Sequence, residues 1–127
     1  MMNKNLDSNI NFFFQTQLQL KVLHWQTKDY ARHKAFGDTY DDLVELVDEF
    51  VEVCMGKHGR FILQEDNKTI RIENLTEVSI VDFIQNTKSK LISISKELSP
   101  EADTDLLNIK DEMLAKVNKL AYLLTLE

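Results

Sequence analysis

The sequence predicts an all-α protein, a four-helix bundle, and three observations predict it. Three glycines and one proline in 127 residues fall well below average usage of about 7% and 5%, so little of the chain is turn or linker. Four separate stretches place apolar residues at three- and four-residue spacing, the period of an amphipathic helix. With 43% hydrophobic and 28% charged residues, the chain has the composition of one soluble domain, and four single-faced helices bury their stripes only against one another.

Residues 8 to 30 form the first helix, with Ile10, Phe13, Phe14, Leu18, Leu20, Val22 and Trp25 as a broad apolar stripe and Ser8 or Asn9 as candidate N-caps. Residues 32 to 55 form the second, carrying Phe36, Tyr40, Leu43, Val47, Phe50 and Cys54 and ending at Gly56. Only Asp29 to Ala31 separate the two stripes, a connection short enough to make them antiparallel neighbours. From Arg60 to Glu77 the helical period breaks, and Phe61, Ile62, Leu63 and Ile70, Ile72 flank an Asp66-Asn67-Lys68 turn signal that reads as a short β-hairpin. Roughly 19 residues at about 3.3 Å each also reach back along a helix of ~35 Å, so a crossover and a hairpin are both open. The third helix spans residues 77 to 97 (Ile80, Phe83, Ile84, Leu91, Ile94), with Ser79 or Thr76 as cap. The fourth spans residues 101 to 126 (Leu106, Leu107, Ile109, Met113, Val117, Leu120, Leu124), and Pro100 marks the corner between them.

Charge and cysteine content exclude whole classes of function. A net charge of -6 and a pI near 5.1 supply no field for nucleic acid or anionic lipid. One cysteine, Cys54, makes no internal disulfide and no Cys-rich zinc site, and no stretch reaches the 18 apolar residues of a membrane span. A cytoplasmic address is expected. No Ser-His-Asp order, glycine-rich phosphate loop or Cys-x-x-Cys pair stands behind a hydrolase, nucleotide-binding or zinc-ribbon role.

Chemistry concentrates around two histidines and two acids. His24 and His33 flank the short first connection and so belong to one end of the bundle. Asp48 and Glu52, four residues apart, share one face of the second helix beside its apolar stripe, a spacing that lets two carboxylates share a cation. Imidazole nitrogen with carboxylate oxygen suits iron, manganese or zinc. The bland readings are that His24 is a hydrogen-bonded core residue and that most acids from Asp38 to Glu52 are solvated surface. By the same reasoning His58 is an exposed residue near a helix end, and Cys54, Met55, Met113 and Phe12 to Phe14 are packing.

The stretch LHWQTKDYARHKAF followed by LVELVDEFVEV resembles the signature region of the Dps-type miniferritins, as does the closing DLLNIKDEMLAKVNKLAYLL. The matching residues are His24-Trp25, His33 and Asp48-Glu49-Phe50-Val51-Glu52, and the resemblance covers most of the chain. It implies a ferritin-like domain over residues 1 to 127 and a homo-oligomer between dimer and dodecamer. It also implies a ferroxidase centre at a twofold interface, with His24 and His33 from one protomer and Asp48 and Glu52 from the other as metal ligands. Iron(II) would be oxidised there by peroxide or oxygen, with Trp25 as an electron donor. Gly37 stands where the family pattern has a further aspartate, the connection between the histidines is about three residues shorter, and the N-terminal MMNKNLD has no basic tail to support DNA binding. Divergent proteins of this appearance also occur in tailed phages, which implies a metal-free structural or assembly role, with a virion address, as the alternative.

Overall fold

The computed structural model describes residues 5–126. Four helices account for most of them: α1 (Leu6–Gln26), α2 (Tyr30–His58), α3 (Glu77–Ile94) and α4 (Thr104–Leu123). Their inward faces form one core of Leu6, Ile10, Phe13, Leu20 and Leu23 from α1, Phe36, Leu43, Val47, Phe50 and Cys54 from α2, Ile80, Ile84, Leu91 and Ile94 from α3, and Leu106, Ile109, Met113, Val117 and Leu120 from α4. Phe13 meets Phe50 edge to face, with centroids 5.5 Å apart and planes at 76°, a preferred geometry for paired rings.

The ends of the helices are set by local chemistry. Asp29 caps α2, its Oδ1 accepting from the Ala31 amide at 2.9 Å. Thr76 and Ser79 cap α3 together, each side chain taking up the other's backbone amide, which satisfies two donors that would be orphaned at the helix start. α2 runs through Gly56, where nothing obstructs or requires a glycine, and stops at Gly59, whose φ of 93° is a conformation that side-chain-bearing residues rarely adopt. α1 begins earlier than the Ser8/Asn9 caps predict, at Leu6, because Leu6 itself is core. Part of the stripe assigned to α1 faces outward: Phe14, Leu18 and Trp25 are exposed.

Ion pairs give the directions of packing. Lys57 bonds Asp105 at 2.8 Å and Lys116 lies 3.5 Å from Asp42, so α2 and α4 are antiparallel. Asn9 donates to Glu97 at 2.9 Å, which places the start of α1 beside the end of α3. Arg32 pairs with Glu77 at 2.9 Å and also reaches the Leu124 carbonyl at 3.5 Å, which gathers the starts of α2 and α3 and the end of α4 at the other end of the bundle. Thus α1 and α4 run one way and α2 and α3 the other, and the chain between Gly59 and Thr76 is a crossover.

The hairpin predicted there is absent; among the described residues there is no strand, and the connection is extended chain with one 3-10 turn at Glu65–Asn67. The reason lies in α1. Asp7 Oδ2 accepts from the Gln64 amide at 3.0 Å and from Asn67 Nδ2 at 2.9 Å. Asn11 Nδ2 donates to the carbonyls of Asn67 (3.1 Å) and Thr69 (2.6 Å), and Gln15 Oε1 accepts from the Arg71 amide at 3.1 Å. Gln19 accepts from the Glu73 amide at 3.0 Å and donates to the Glu73 carbonyl at 2.9 Å. Four residues of helix advance about 6.0 Å and two of extended chain about 6.6 Å, so side chains at four-residue spacing meet every second strap residue. A row of side chains on α1 thus does for the strap what a partner strand would have done.

Candidate metal centre

His24 closes α1 and His33 sits in the first turn of α2, and the tight Thr27–Asp29 connection brings the two imidazoles face to face. Their centroids are 3.7 Å apart with planes 21° from parallel. Each Nδ1 bonds the other residue's backbone carbonyl, His24 to His33 at 2.6 Å and His33 to His24 at 2.7 Å. A carbonyl oxygen only accepts, so each Nδ1 carries the hydrogen. Such a bond fixes the ring's orientation and, in the neutral imidazole, leaves the lone pair on Nε2, the arrangement also found behind metal-ligating histidines in general.

Gly37, one turn after His33, belongs to the same arrangement. A Cβ there would lie 2.7 Å from His24 Nδ1 and 2.8 Å from His24 Cε1. A side chain at position 37 would therefore collide with the His24 ring, which occupies the space above Gly37. Around the pair, Lys21, Tyr30, Lys34, Gly37, Asp38 and Asp41 line an open cleft of about 240 Å³. Lys34 pairs with Asp38 at 3.4 Å. Lys21 Nζ lies 4.9 Å from the Tyr40 ring centroid and 5.5 Å from that of Trp25, and Trp25 is 67% exposed.

Asp48 and Glu52 are not part of this cleft. They follow His33 along α2 by about 22 and 28 Å at 1.5 Å per residue. Both are exposed rather than bordering the core, since about 100° per residue swings them past the Val47-Phe50-Cys54 stripe onto the outer surface. Among the described residues, no three His, Cys, Asp or Glu side chains gather in one chain to hold a metal ion. The structure brings together His24 with His33, and Asp48 with Glu52 by helical spacing, but not the two pairs with one another.

His58 ends α2 and is engaged in structure, its Nε2 lying 2.9 Å from Asp103 Oδ1. Asp103, itself 5% exposed, also accepts from the Ser99 amide at 2.8 Å and lies 3.5 Å from Lys57. The Ser99 amide first, and then His58 and Lys57, hold its carboxyl below the ordinary carboxylate range. This knot ties the end of α2 to the Pro100 corner. Cys54 is buried in the core. The reading of the sequence missed the α1 row of Asp7, Asn11, Gln15 and Gln19; four polar residues at strict four-residue spacing were its visible signal.

Fold and site together define a class: an all-helical bundle with a crossover, which carries a preorganised stacked histidine pair. Within that class, the chain belongs to the family of unknown function DUF5856, whose profile matches residues 24–124 and so takes in both histidines and both acids. It is also similar to an uncharacterized 14.6 kDa protein of the mobD-ri intergenic region of enterobacteria phage T4, at 27% identity over 121 residues, 95% of this chain and 88% of the relative. No solved structure matches it, and among the described residues no helix is long and apolar enough to cross a membrane.

Proposed function

We propose that this chain is a ferritin-like homo-oligomer that binds iron at an inter-subunit site, with His24 and His33 from one copy and Asp48 and Glu52 from a second. The observation that carries the reading is the reciprocal pair of Nδ1-to-carbonyl bonds, which leaves Nε2 as the lone-pair nitrogen of two fixed rings that line an open cleft. The crossover between parallel α2 and α3 supports the ferritin-like assignment, because one long connection distinguishes those bundles from simple up-and-down ones.

The donor set fits the metal with one restriction. A metal–nitrogen bond of about 2.0–2.1 Å lies in the plane of its imidazole. Ring-plane lone pairs of two rings stacked 3.7 Å apart do not converge on one ion. Each imidazole therefore serves its own ion, and carboxylates from outside the chain are needed to complete the coordination. A second copy supplies them if a twofold axis exchanges the His33 level of α2 with the Asp48–Glu52 level. Such an axis crosses α2 midway, between Tyr40 and Val44, and crosses α1 about nine residues before His24, near Gln15 and Thr16. Exposed Phe14, Leu18 and Val44 surround that point, which gives the interface an apolar centre of the kind that holds subunits together. Iron(II) is then the substrate and oxygen or peroxide the oxidant. The chain's own contribution is to hold the imidazoles in one tautomer and to place carboxylates opposite them.

The test is complementation. Metal-stripped protein is titrated anaerobically with iron(II), then exposed to peroxide while oxidation is followed by absorbance. His24→Ala/His33→Ala and Asp48→Ala/Glu52→Ala chains should each lose saturable binding, and a mixture of the two should recover it through mixed dimers that hold one intact site. Equal binding by wild type and both variants, or no recovery on mixing, defeats the inter-subunit site. One observation favours a second reading, a metal-free assembly protein: the histidine pair is satisfied by its own carbonyls and by Gly37 without any ion. In that case His24→Ala alters stability but not assembly.

A further inference from the structure

The crossover strap is bonded along one edge only. The N–H and C=O groups of an extended chain alternate in direction. The Thr69 carbonyl, the Arg71 amide and both backbone groups of Glu73 are turned to α1 and taken up by Asn11, Gln15 and Gln19. Those of Ile70, Ile72 and Asn74 therefore point the other way, and among the described residues no backbone group of these three has a hydrogen-bond partner. Ile70 and Asn74 are exposed and Ile72 half-buried. The free edge belongs to a β-branched, proline-free run, Thr69-Ile70-Arg71-Ile72-Glu73, a composition that favours pairing with another strand.

We infer that this edge pairs with the same edge of a second copy, the two straps forming an antiparallel two-stranded ribbon with Ile72 on the twofold axis. Charge favours the Ile72-centred register over its immediate neighbours, and the opposite charges of Arg71 and Glu73, 2.9 Å apart within the chain, are self-complementary across a twofold axis. Centring the pair on Arg71 sets Arg71 against itself, and centring it on Glu73 sets Glu73 against itself; like charges directly opposite are destabilising. Centring on Ile72 sets Arg71 opposite Glu73 of the second copy, twice by symmetry. Ile72 then exchanges both of its backbone hydrogen bonds with its counterpart, and Ile70 with Asn74. An isolated two-strand ribbon is marginal in water, but here each strand is already held on its outer side by its own α1.

The inference rests on the homodimer proposed above, and the two agree in position. The axis that brings the histidines to the acids crosses α1 near Gln15 and Thr16. Ile72 lies between the strap residues bound to Gln15 and Gln19, within about one helical turn of that level. Arg71, Glu73 and Leu75 of the strap line a groove with α1 and α3 and with no residue of α2, so one axis can serve the α1/α2 face and the ribbon together.

Cross-linking tests the register. In a Cys54→Ala background, Ile72→Cys places its thiol beside its own copy, with Cα atoms about 5.5 Å apart, inside the 4.4–6.8 Å range of disulfides. Lys68→Cys would lie about 26 Å from its copy. Ile72→Cys should form a reducible dimer at least tenfold faster than Lys68→Cys. Ile72→Pro deletes an amide that has no partner within the chain, so helicity should be kept while the dimer dissociation constant, read by light scattering across a dilution series, rises at least tenfold. If the protein is dimeric but Ile72→Cys links no faster than Lys68→Cys, the ribbon is wrong and the α1/α2 dimer stands. A chain monomeric at every concentration overturns both, including the case in which the strap edge takes an extended segment of a different protein.

Discussion

The sharpest prediction concerns Gly37→Ala. In an ordinary helix interior the change stabilises by about 0.8–1.0 kcal/mol, because alanine loses less backbone freedom on folding than glycine. Here the new methyl would sit 2.7 Å from His24 Nδ1 and 2.8 Å from Cε1, closer than non-bonded atoms approach. The ring cannot retreat easily, since its other face is stacked on His33 at 3.7 Å and its Nδ1 is bonded to the His33 carbonyl at 2.6 Å. Displacing it forfeits a ring–ring contact worth about 0.5–1.5 kcal/mol and a hydrogen bond worth about 0.5–1.5 kcal/mol net. The helix gain is thus cancelled or reversed, for a net effect between zero and about 2 kcal/mol of destabilisation. In a His24→Ala background the obstruction is gone, and Gly37→Ala should stabilise by about 1 kcal/mol. A double-mutant cycle in urea should therefore return a coupling of about 1–3 kcal/mol, and each kcal/mol should move the thermal midpoint by about 3–5 °C in a chain of this size. If Gly37→Ala stabilises equally in both backgrounds, the His24 ring does not sit over Gly37 and the steric account of that glycine fails.

Acid should destabilise the fold through Asp7 and Asp103. The Gln64 amide first, and then Asn67, hold the Asp7 carboxyl below its ordinary value, and the Ser99 amide leads in doing the same for Asp103. A carboxyl depressed in the folded state contributes stability that is present above its unfolded pKa, near 3.9, and is lost as pH falls through the lower folded value. Urea midpoints should drop below about pH 4, and Asp7→Asn or Asp103→Asn should flatten that drop while lowering stability at pH 7. Gln19→Ala strips both backbone bonds from Glu73 and should cost about 1–3 kcal/mol. Hydrogen exchange should show lost protection at Glu73 while the core amides of α2 keep theirs. His58→Ala should loosen the Pro100 corner, read as faster proteolysis between Glu97 and Asp103, without changing iron binding.

How much of this was legible beforehand follows from the range of each interaction. Helix existence depends on spacing within one segment, so the four stripes, the Thr76 cap and the Pro100 corner are legible directly, whereas Asp29, which the spacing puts in the connection, is the α2 cap only in the fold. Partners distant in the chain are not legible in this way. The hydrophobic pattern and turn signal of residues 61 to 72 are those of a hairpin, yet the strap's hydrogen bonds go to α1, more than fifty residues away in the chain. The α1 stripe is broader than the core because Phe14, Leu18 and Trp25 share the apolar character of Ile10 and Phe13, and only packing separates the inward face from the outward one. His24 and His33 could be placed at one end by the shortness of their connection. Their stacking, and the close approach of the His24 ring over Gly37, are set only by the fold.

The sequence by itself therefore determined four amphipathic helices, their order, and the residue types available to a metal, because periodicity and composition are local and additive along the chain. Tertiary structure alone decided that α2 and α3 run parallel beneath a strap, that the histidines brace one another through Nδ1, and that Asp48 and Glu52 stand out of their reach. Those outcomes depend on which polar groups find partners across the bundle, and a hydrogen bond's partner is chosen by proximity in the folded state.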